Sequence, residues 1–288
     1  MGPLKEFDSP VLTIEQQDAV ATVWLDRPEA RNAMGQDLWR DLPRAMDTVS
    51  EDSGVRVVVV AAKGPHFSVG LDLKAMGGLL SGDETADGAP SGLTPRPSMA
   101  ARARGARSEV LRLQESITAV ARCPKPVIAA VHGYCIGGGV DLISACDIRL
   151  ASADAIFSVR EAKVAIVADL GSLQRLPGII GRGHLAELAF TGKDISAQRA
   201  REIGLVNDVA ADAEGVLKAA GELAAEIAAN SPIAVQGTKA VLAANEGRTV
   251  DQALEYVATW NAGMLASDDL VEAMTAFMEK RAPRFTGR

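Results

Sequence analysis

The stretch AAVHGYCIGGGVDLISACDIRL, residues 129–150, decides the fold. An apolar run leads into three consecutive glycines, Gly137 to Gly139, and an apolar helical pattern follows. This order predicts a buried strand, a tight turn and a helix. Glycine lets the backbone approach a ligand closely, and the first turn of a helix presents N–H groups without intrahelical acceptors. The turn is suited to bind a phosphate or a carbonyl oxyanion, although a plain strand-to-helix connection would have the same pattern.

A second junction of the same kind is HFSVGLDL at 66–73, which follows a β-branched run at 55–62. Two such junctions, each offering one N–H group, can converge on a single carbonyl oxygen and form an oxyanion hole from the main chain. We interpret His66, a lone histidine near this turn, as structural or exposed rather than catalytic.

The flanking sequence predicts an α/β core at 1–195, with a Gly-, Pro- and Ser-rich loop inserted at about 80–100, and a helical region at 196–288. Apolar runs predict strands at 19–26, 55–62 and 124–133, and a hairpin-like pair at 147–159 around Ser152–Asp154. Helices are predicted at 34–50, 108–122, 184–190, 196–202, 211–229, 232–245, 250–265 and 267–280, with Ser196, Ser231 and Ser267 as N-caps.

Composition limits the classes of function. The 288 residues are 48% hydrophobic and 23% charged, as in an ordinary globular protein, and the net charge of −7 comes with no basic block, which argues against nucleic acid as a partner. Three cysteines, Cys123, Cys135 and Cys146, lack metal or disulfide spacing. The N-terminal residues do not resemble a signal peptide, and no apolar run reaches the ~20 residues that span a bilayer. We therefore expect a cytoplasmic protein without membrane contact.

Three acidic residues follow the triple glycine: Asp141, Glu161 and Asp169. Each has a purely structural interpretation. Asp141 would favour the dipole of its helix, Glu161 would be a surface residue, and Asp169 would be an N-cap worth ~1 kcal/mol. However, Asp169 lies in the apolar stretch VAIVADLG, where a carboxylate without a function would be costly. This argues for a functional role.

Taken together, these segments resemble the enoyl-CoA hydratase/isomerase (crotonase) family. FSVGLDL at 67–73 is similar to the family segment F-[ST]-x-G-x-D-[LI], and 129–150 is similar to its signature around G-G-G-x-[DE]. LDRPEARNAM at 25–34, TGKDISAQRAREIGLVNDV at 191–209 and FMEKRAPRF at 277–285 resemble further family segments. The resemblance implies an α/β fold, a spiral of ββα units with C-terminal helices that form a trimer or a dimer of trimers.

The resemblance also implies an acyl-CoA substrate and a site. The N–H groups of Leu71 and Gly138 would hold the thioester oxygen while an enolate develops. No metal or redox cofactor is expected, since coenzyme A is part of the substrate. Residues expected to contact the substrate or its coenzyme A are Arg31, Ala33, Gly70, Asp72, Leu73, Gly139, Phe277 and Lys280.

The acids indicate which reaction to expect. Hydratases of this family carry glutamates at the positions of Asp141 and Glu161 and a small residue at Asp169. The trio in this chain instead resembles the Δ3,5-Δ2,4-dienoyl-CoA isomerases. Isomerisation removes a proton at C2 and adds one at C6, so two carboxylates on separate sites, Glu161 and Asp169, suit it as base and acid. The sequence leaves open which is the base.

Two alternatives remain at this point. Hydration of a 2-enoyl-CoA would need a water held between Asp141 and Glu161, and a non-catalytic acyl-CoA-binding protein would not need the acids at all. The sequence does not reveal the length of the acyl chain, whether the acyl group is derived from a steroid, or the role of the 80–100 loop.

Overall fold

The computed structural model describes residues 7–73 and 98–288. Most of the loop predicted at 80–100 therefore lies outside the described residues, and its last residues begin a helix at Met99. Within the described part of the chain, no helix is long and apolar enough to cross a membrane.

The main sheet has six strands in the order β1-β2-β3-β4-β6-β9. The edge strand β1 is antiparallel to β2, and the remaining neighbours are parallel. The central strand β3 has the sequence VVVVAA and is buried along its whole length, as expected for a parallel strand covered on both faces. The bounds are β1 Leu12–Gln17, β2 Val20–Leu25, β3 Val57–Ala62, β4 Val127–Val131, β6 Ile148–Ser152 and β9 Asp208–Ala210.

A second, three-stranded sheet contains β5 (Tyr134–Ile136), β7 (Ile156–Ser158) and β8 (Ile195–Ser196). The prediction of a hairpin-like pair at 147–159 was wrong, because β6 and β7 belong to different sheets. In the main sheet β6 already has β4 on one side and β9 on the other, so it offers no free edge to β7. Instead β7 pairs in parallel with β5.

Most predicted helices are present, with shifted ends. The helix expected at 108–122 begins earlier, after Ser98, because its first turns carry little apolar signal. The N-caps at Ser196, Ser231 and Ser267 are confirmed. The bounds are α1 Gln36–Glu51, α2 Met99–Arg122, α3 Gly138–Ser144, α4 Ser172–Arg175, α5 Pro177–Thr191, α6 Ala197–Glu202, α7 Ala213–Ala228, α8 Pro232–Ala244, α9 Val250–Met264 and α10 Asp268–Glu279.

The helical region is joined to the core. The boundary predicted after residue 195 falls within β8, and β9, which lies beyond it, completes the main sheet by pairing with β6. The buried face of α7 packs against β3, β4 and β6 in one apolar cluster. Lys239 of α8 also forms an ion pair of 2.6 Å with Asp147, at the start of β6. Helices α7 and α8 are therefore attached to the sheet by side chains from both regions.

Topology places the two glycine-containing junctions together. The parallel strands β3 and β4 both end at the same edge of the sheet, since the carboxyl ends of parallel strands share one edge. The chain leaves β3 into the 66–73 segment and leaves β4 into β5 and α3. A site built from both junctions is therefore formed at this edge.

Candidate active site

The 67–72 segment is aligned with β5 by main-chain hydrogen bonds. The N–H of Ser68 donates to the carbonyl of Tyr134 at 2.8 Å, and the N–H of Ile136 donates back to Ser68 at 3.0 Å. The N–H of Phe67 donates to His132 at 2.9 Å. This ladder fixes the position of the segment along the strand that leads into α3.

The other side of the same segment is held by residues 31–34. The N–H of Met34 donates to Gly70 at 2.8 Å, and the N–H of Asp72 donates to Met34 at 3.0 Å. The N–H of Val69 donates to Arg31 at 3.2 Å. Because this parallel bridge uses the N–H groups of Met34 and Asp72, the intervening N–H of Leu71 points away from it.

The segment that carries Leu71 lies against the start of α3, close to the N–H of Gly138. Gly138 is the first residue of α3, so its N–H has no acceptor within the helix. A side chain at Gly70 would have its Cβ 2.8 Å from the carbonyl oxygen of Ile136 and 3.5 Å from the nitrogen of Gly138. Gly70 also has a φ of +83°, in the region that favours glycine. Glycine at this position therefore allows the two junctions to meet.

The triple glycine allows α3 to pack closely against its neighbours. A Cβ at Gly138 would lie 2.9 Å from the sulfur of Met34, and one at Gly139 would lie 3.3 Å from the Cβ of Ser68. Gly139 thus faces the 67–72 segment. Gly137 has a φ of +52° and donates its N–H to Ser158 at 2.9 Å, which connects the start of α3 to β7.

Glu161 lies against the start of α3. It begins a short 3-10 turn after β7, and one carboxylate oxygen, Oε1, lies 3.2 Å from the Cβ position of Gly137. The other oxygen, Oε2, is buried without a hydrogen-bond partner among the described residues. The pKa of Glu161 is raised to about 7, mainly by burial and to a smaller extent by the charges of Asp141 and Asp169. A carboxyl group with such a pKa can take up or release a proton near neutral pH.

Asp141, in the first turn of α3, is almost completely buried. Its Oδ1 accepts the N–H of Ser172 at 2.6 Å, at the start of α4. Burial raises the pKa of Asp141 to about 6, and the hydrogen bond from the N–H of Ser172 opposes that rise. Asp141 is therefore attached to the turn at 169–172, which we call the acid turn.

Asp169 is a partly buried residue of the acid turn, and burial raises its pKa. The turn is attached to α2, since Nε2 of Gln114 donates to the carbonyl of Asp169 at 2.6 Å. The helix that follows has Gly171 as its N-cap, so the structural interpretation of Asp169 as an N-cap does not apply. The three acids are near enough to influence one another, because Asp169 raises the pKa of both Asp141 and Glu161.

The structure shows fewer contacts for the other residues that were predicted to bind the substrate or its coenzyme A. Arg31 and Leu73 are exposed and Ala33 is partly buried, so these residues are accessible to a ligand beside the 67–72 segment. The carboxylate of Asp72 pairs with Arg27 at 2.9 Å, which further fixes the segment. Phe277, on α10, is highly exposed, and Lys280 is the C-cap of that helix. Within residues 7–73 and 98–288, neither side chain hydrogen-bonds to another predicted site residue.

Several positioning contacts were not predicted from the sequence. These contacts include the Arg27–Asp72 pair, the Gln114–Asp169 bond and the Ser172–Asp141 bond. Each joins residues that are at least 31 positions apart along the chain. Asp72, Asp141 and Asp169 had been predicted as site residues, but no pattern in the sequence marked their partners Arg27, Ser172 and Gln114. His66 stacks on Tyr134 with ring centroids 4.5 Å apart, in keeping with a structural role.

Comparison with known proteins identifies the family. The family model described as enoyl-CoA hydratase/isomerase matches residues 15–90 and 91–288. A peroxisomal Delta(3,5)-Delta(2,4)-dienoyl-CoA isomerase of Arabidopsis thaliana is 43% identical over 91% of this chain and 90% of its own. A mitochondrial isomerase of the same name from Rattus norvegicus is 45% identical over 92% of this chain and 78% of its own. The crystal structure of an enoyl-CoA hydratase from Bacillus anthracis, 30% identical, has a TM-score of 0.84 and covers 96% of this chain and 100% of that one.

This chain belongs to the enoyl-CoA hydratase/isomerase family, and its close relatives are dienoyl-CoA isomerases. The predicted family and α/β fold are thereby confirmed. The prediction of a cytoplasmic protein was wrong, because the isomerases most similar among these relatives are named as peroxisomal and mitochondrial. Composition carries no property that distinguishes these compartments.

Replacement of Gly70 tests the convergence of the two N–H groups. We expect Gly70→Ala to lower kcat about 10²–10³-fold, the cost typical of a lost oxyanion donor, because the new Cβ must push the 67–72 segment away from Ile136 and Gly138. The matched control is Gly221→Ala on α7, where a Cβ meets nothing within 4 Å. Steady-state kinetics and circular dichroism would measure both variants. Unchanged kcat in a folded Gly70→Ala protein would contradict the geometry.

The raised pKa of Glu161 predicts a pH-dependent cost in stability. Its ordinary pKa is 4.5, so the unfolded chain ionises first, and the folded protein must ionise a buried carboxyl as the pH rises through about 7. Glu161→Gln removes this cost. We expect Tm to rise at pH 8, by about 2–4 °C for each kcal/mol gained, and to change little at pH 4.5.

Thermal melts of this variant should be compared with those of Glu226→Gln, an exposed site on α7. An equal change at both pH values would show that the Glu161 carboxyl is not desolvated.

Proposed function

We propose that this protein isomerises a 3,5-dienoyl-CoA to the 2,4-dienoyl-CoA as part of acyl-CoA degradation. The observation that carries the proposal is the clustering of three carboxyl groups with raised pKa, Asp141, Glu161 and Asp169, beside the start of α3. The thioester oxygen would be held by the N–H groups of Leu71 and Gly138, whose donors stabilise the enolate that forms when C2 loses a proton.

The proton transfers balance without any other reactant. One ionised carboxylate removes a proton from C2, the electron pairs of both double bonds shift along the chain, and a protonated carboxyl adds a proton at C6. Glu161 is assigned to C2 because its carboxylate lies against Gly137, next to the thioester-binding N–H of Gly138. Asp169 is then the acid at C6. The next turnover requires the reverse proton exchange between these groups and solvent or each other.

Asp141 has an orienting role in this proposal. Its Oδ1 accepts the N–H of Ser172, which ties α3 to the acid turn. The same bond disfavours the hydratase alternative, because a carboxylate committed to Ser172 is poorly placed to share a water with Glu161. The acyl-CoA would bind with its coenzyme A near Arg31 and Leu73, and the proposed chemistry needs no metal or redox cofactor.

Self-association is the second part of the proposal. Exposed apolar side chains cover much of α9 and α10, and contiguous exposed apolar surface of this kind commonly marks an interface. We infer a trimer or a dimer of trimers, as the resemblance to the family implies. The side chains are Val250, Leu254, Met264, Leu270, Val271, Met274, Phe277 and Met278.

The role of Asp169 can be tested by a nearly isosteric change. We expect Asp169→Asn to lower isomerase kcat by at least about 10⁴-fold, the upper range for a positioned acid or base, because C6 then receives no proton. Binding of a saturated acyl-CoA, measured by calorimetry, should survive. Full turnover by Asp169→Asn would disprove the two-acid mechanism.

Deuterium exchange in the same variants tests the assignment of Glu161. In D₂O, Asp169→Asn should still exchange the C2 proton of the dienoyl-CoA without forming the conjugated product, whereas Glu161→Gln should not. Mass spectrometry and NMR of recovered substrate measure both. The opposite pattern would reverse the two roles while leaving the overall reaction intact.

Self-association is tested by light scattering coupled to size exclusion. The chain has a mass of 30.1 kDa, so the proposal predicts a particle of three or six such masses. Val271→Glu and Met274→Glu, on the exposed face of α10, should reduce that mass, because a charge would be buried at the interface. A monomeric wild-type protein at micromolar concentration would contradict this part of the proposal.

A further inference from the structure

Arg175 folds back over the acid turn that carries Asp169. Its Nη1 donates to the carbonyl of Leu170 at 3.2 Å, and its Nη2 donates to Oγ1 of Thr118 at 3.3 Å. Thr118 belongs to α2, so a single guanidinium connects the turn to a neighbouring helix. A planar group with several fixed donors can hold two acceptors in this way, whereas an ammonium group holds them less rigidly.

Gly171 provides the space that the guanidinium occupies. A Cβ at Gly171 would lie 1.8 Å from Nη1 of Arg175, closer than any side chain could tolerate. The φ of Gly171 is +125°, which also favours glycine. The turn is therefore shaped around Arg175, and a larger residue at position 171 would displace either the guanidinium or the backbone beside Asp169.

The charge of Arg175 is not paired by direct contact. Within the described residues its hydrogen-bond acceptors are both uncharged, and it forms no ion pair. Arg175 is partly buried, and burial lowers its pKa, while the nearby charges of Asp141 and Glu246 oppose that effect. Moving a cation out of water onto neutral acceptors costs free energy. This cost indicates that the charge of Arg175 has a role in the protein.

The groups that face this charge come from several elements. The acids that act on Arg175 are Asp141 on α3 and Glu246 beyond α8, and Asp169 and Glu161 lie near Asp141 in turn. The thiol of Cys135 on β5 also faces Asp141, and burial keeps it protonated. Asp169 raises the pKa of Asp141 and Arg175 lowers it, so Arg175 is the cation that opposes repulsion among the acids.

We propose that Arg175 is a positioning residue that holds the acid turn in place against α2 and places a positive charge beside the buried acids. In this proposal Arg175 does not contact the substrate. It acts through Leu170 on the position of Asp169, and through its charge on the carboxylate that accepts the N–H of Ser172. This inference rests on the proposed isomerase function and adds a residue to it.

The first experiment compares Arg175→Met, which keeps the length but removes charge and donors, with Arg175→Lys, which keeps the charge. We expect Arg175→Met to lower kcat for a 3,5-dienoyl-CoA by about tenfold to a hundredfold, as for a catalytic group displaced by an ångström, with KM nearly unchanged. Arg175→Lys should recover part of that loss. The control is Arg182→Met, an exposed arginine on α5. Wild-type kcat in Arg175→Met would overturn the proposal.

The second experiment does not depend on turnover. Carbon-13 NMR of carboxyl-labelled aspartate, assigned with Asp141→Asn, measures the pKa of Asp141 in each variant. We expect that pKa to rise in Arg175→Met and to stay near the wild-type value in Arg175→Lys. An unchanged pKa in a folded Arg175→Met protein would refute the electrostatic role. If the wild-type protein does not convert the dienoyl-CoA, the proposed function fails, but this titration still decides whether Arg175 acts on Asp141.

Discussion

The position of the 67–72 segment is the constraint on which the rest of the site depends. Main-chain bonds to β5 align it on one side, and bonds to residues 31–34 align it on the other. Because both ladders consist of backbone groups, the N–H of Leu71, which the bridge to residues 31–34 does not use, has little freedom to move. Preorganised donors of this kind stabilise developing charge without a cost of reorganisation when the reaction occurs.

The burial of the acids lowers the stability of the folded protein. Asp141 and Glu161 are removed from water, and the charge of Asp141 also raises the pKa of Glu161, so their ionised forms are disfavoured in the folded protein. The N–H of Ser172 and the charge of Arg175 reduce this cost at Asp141. No comparable donor reaches Oε2 of Glu161 within the described residues, which leaves that carboxyl poised to exchange a proton. Unequal compensation of neighbouring carboxyl groups is how a site can keep one of them ionised while another exchanges a proton.

Much of the fold could be predicted from the sequence, since the apolar strands, the helices and their serine caps carry local signals. The strands β1, β8 and β9 were not predicted, and β5 lies just beyond the strand predicted at 124–133. β1 is a polar edge strand, β8 has only two residues, and β9 is recognisable only through its pairing with β6. The pairing of β7 with β5 also depends on which sheet edges are free, and that is a property of the whole topology.

Only part of the candidate site could be predicted from the sequence, and the reason is similar. Asp141, Glu161 and Asp169 could be chosen because they follow recognisable segments, and the structure brings them together. The contributions of Gln114, Ser172 and Arg175 depend on distances between elements far apart in the chain, which residue patterns do not encode. The compartment was predicted wrongly, because no physical feature of the folded domain is required to differ between compartments.

The most direct test of the central claim is to assay the wild-type protein in parallel with a 3,5-dienoyl-CoA and a 2-enoyl-CoA. Conjugation of the diene with the thioester raises near-ultraviolet absorbance, whereas hydration of the enoyl-CoA lowers it. The arrangement of the three acids predicts fast growth of absorbance with the diene and little loss with the enoyl-CoA. Rapid hydration without conversion of the diene would contradict it, and would show that Asp169 does not serve as a proton donor.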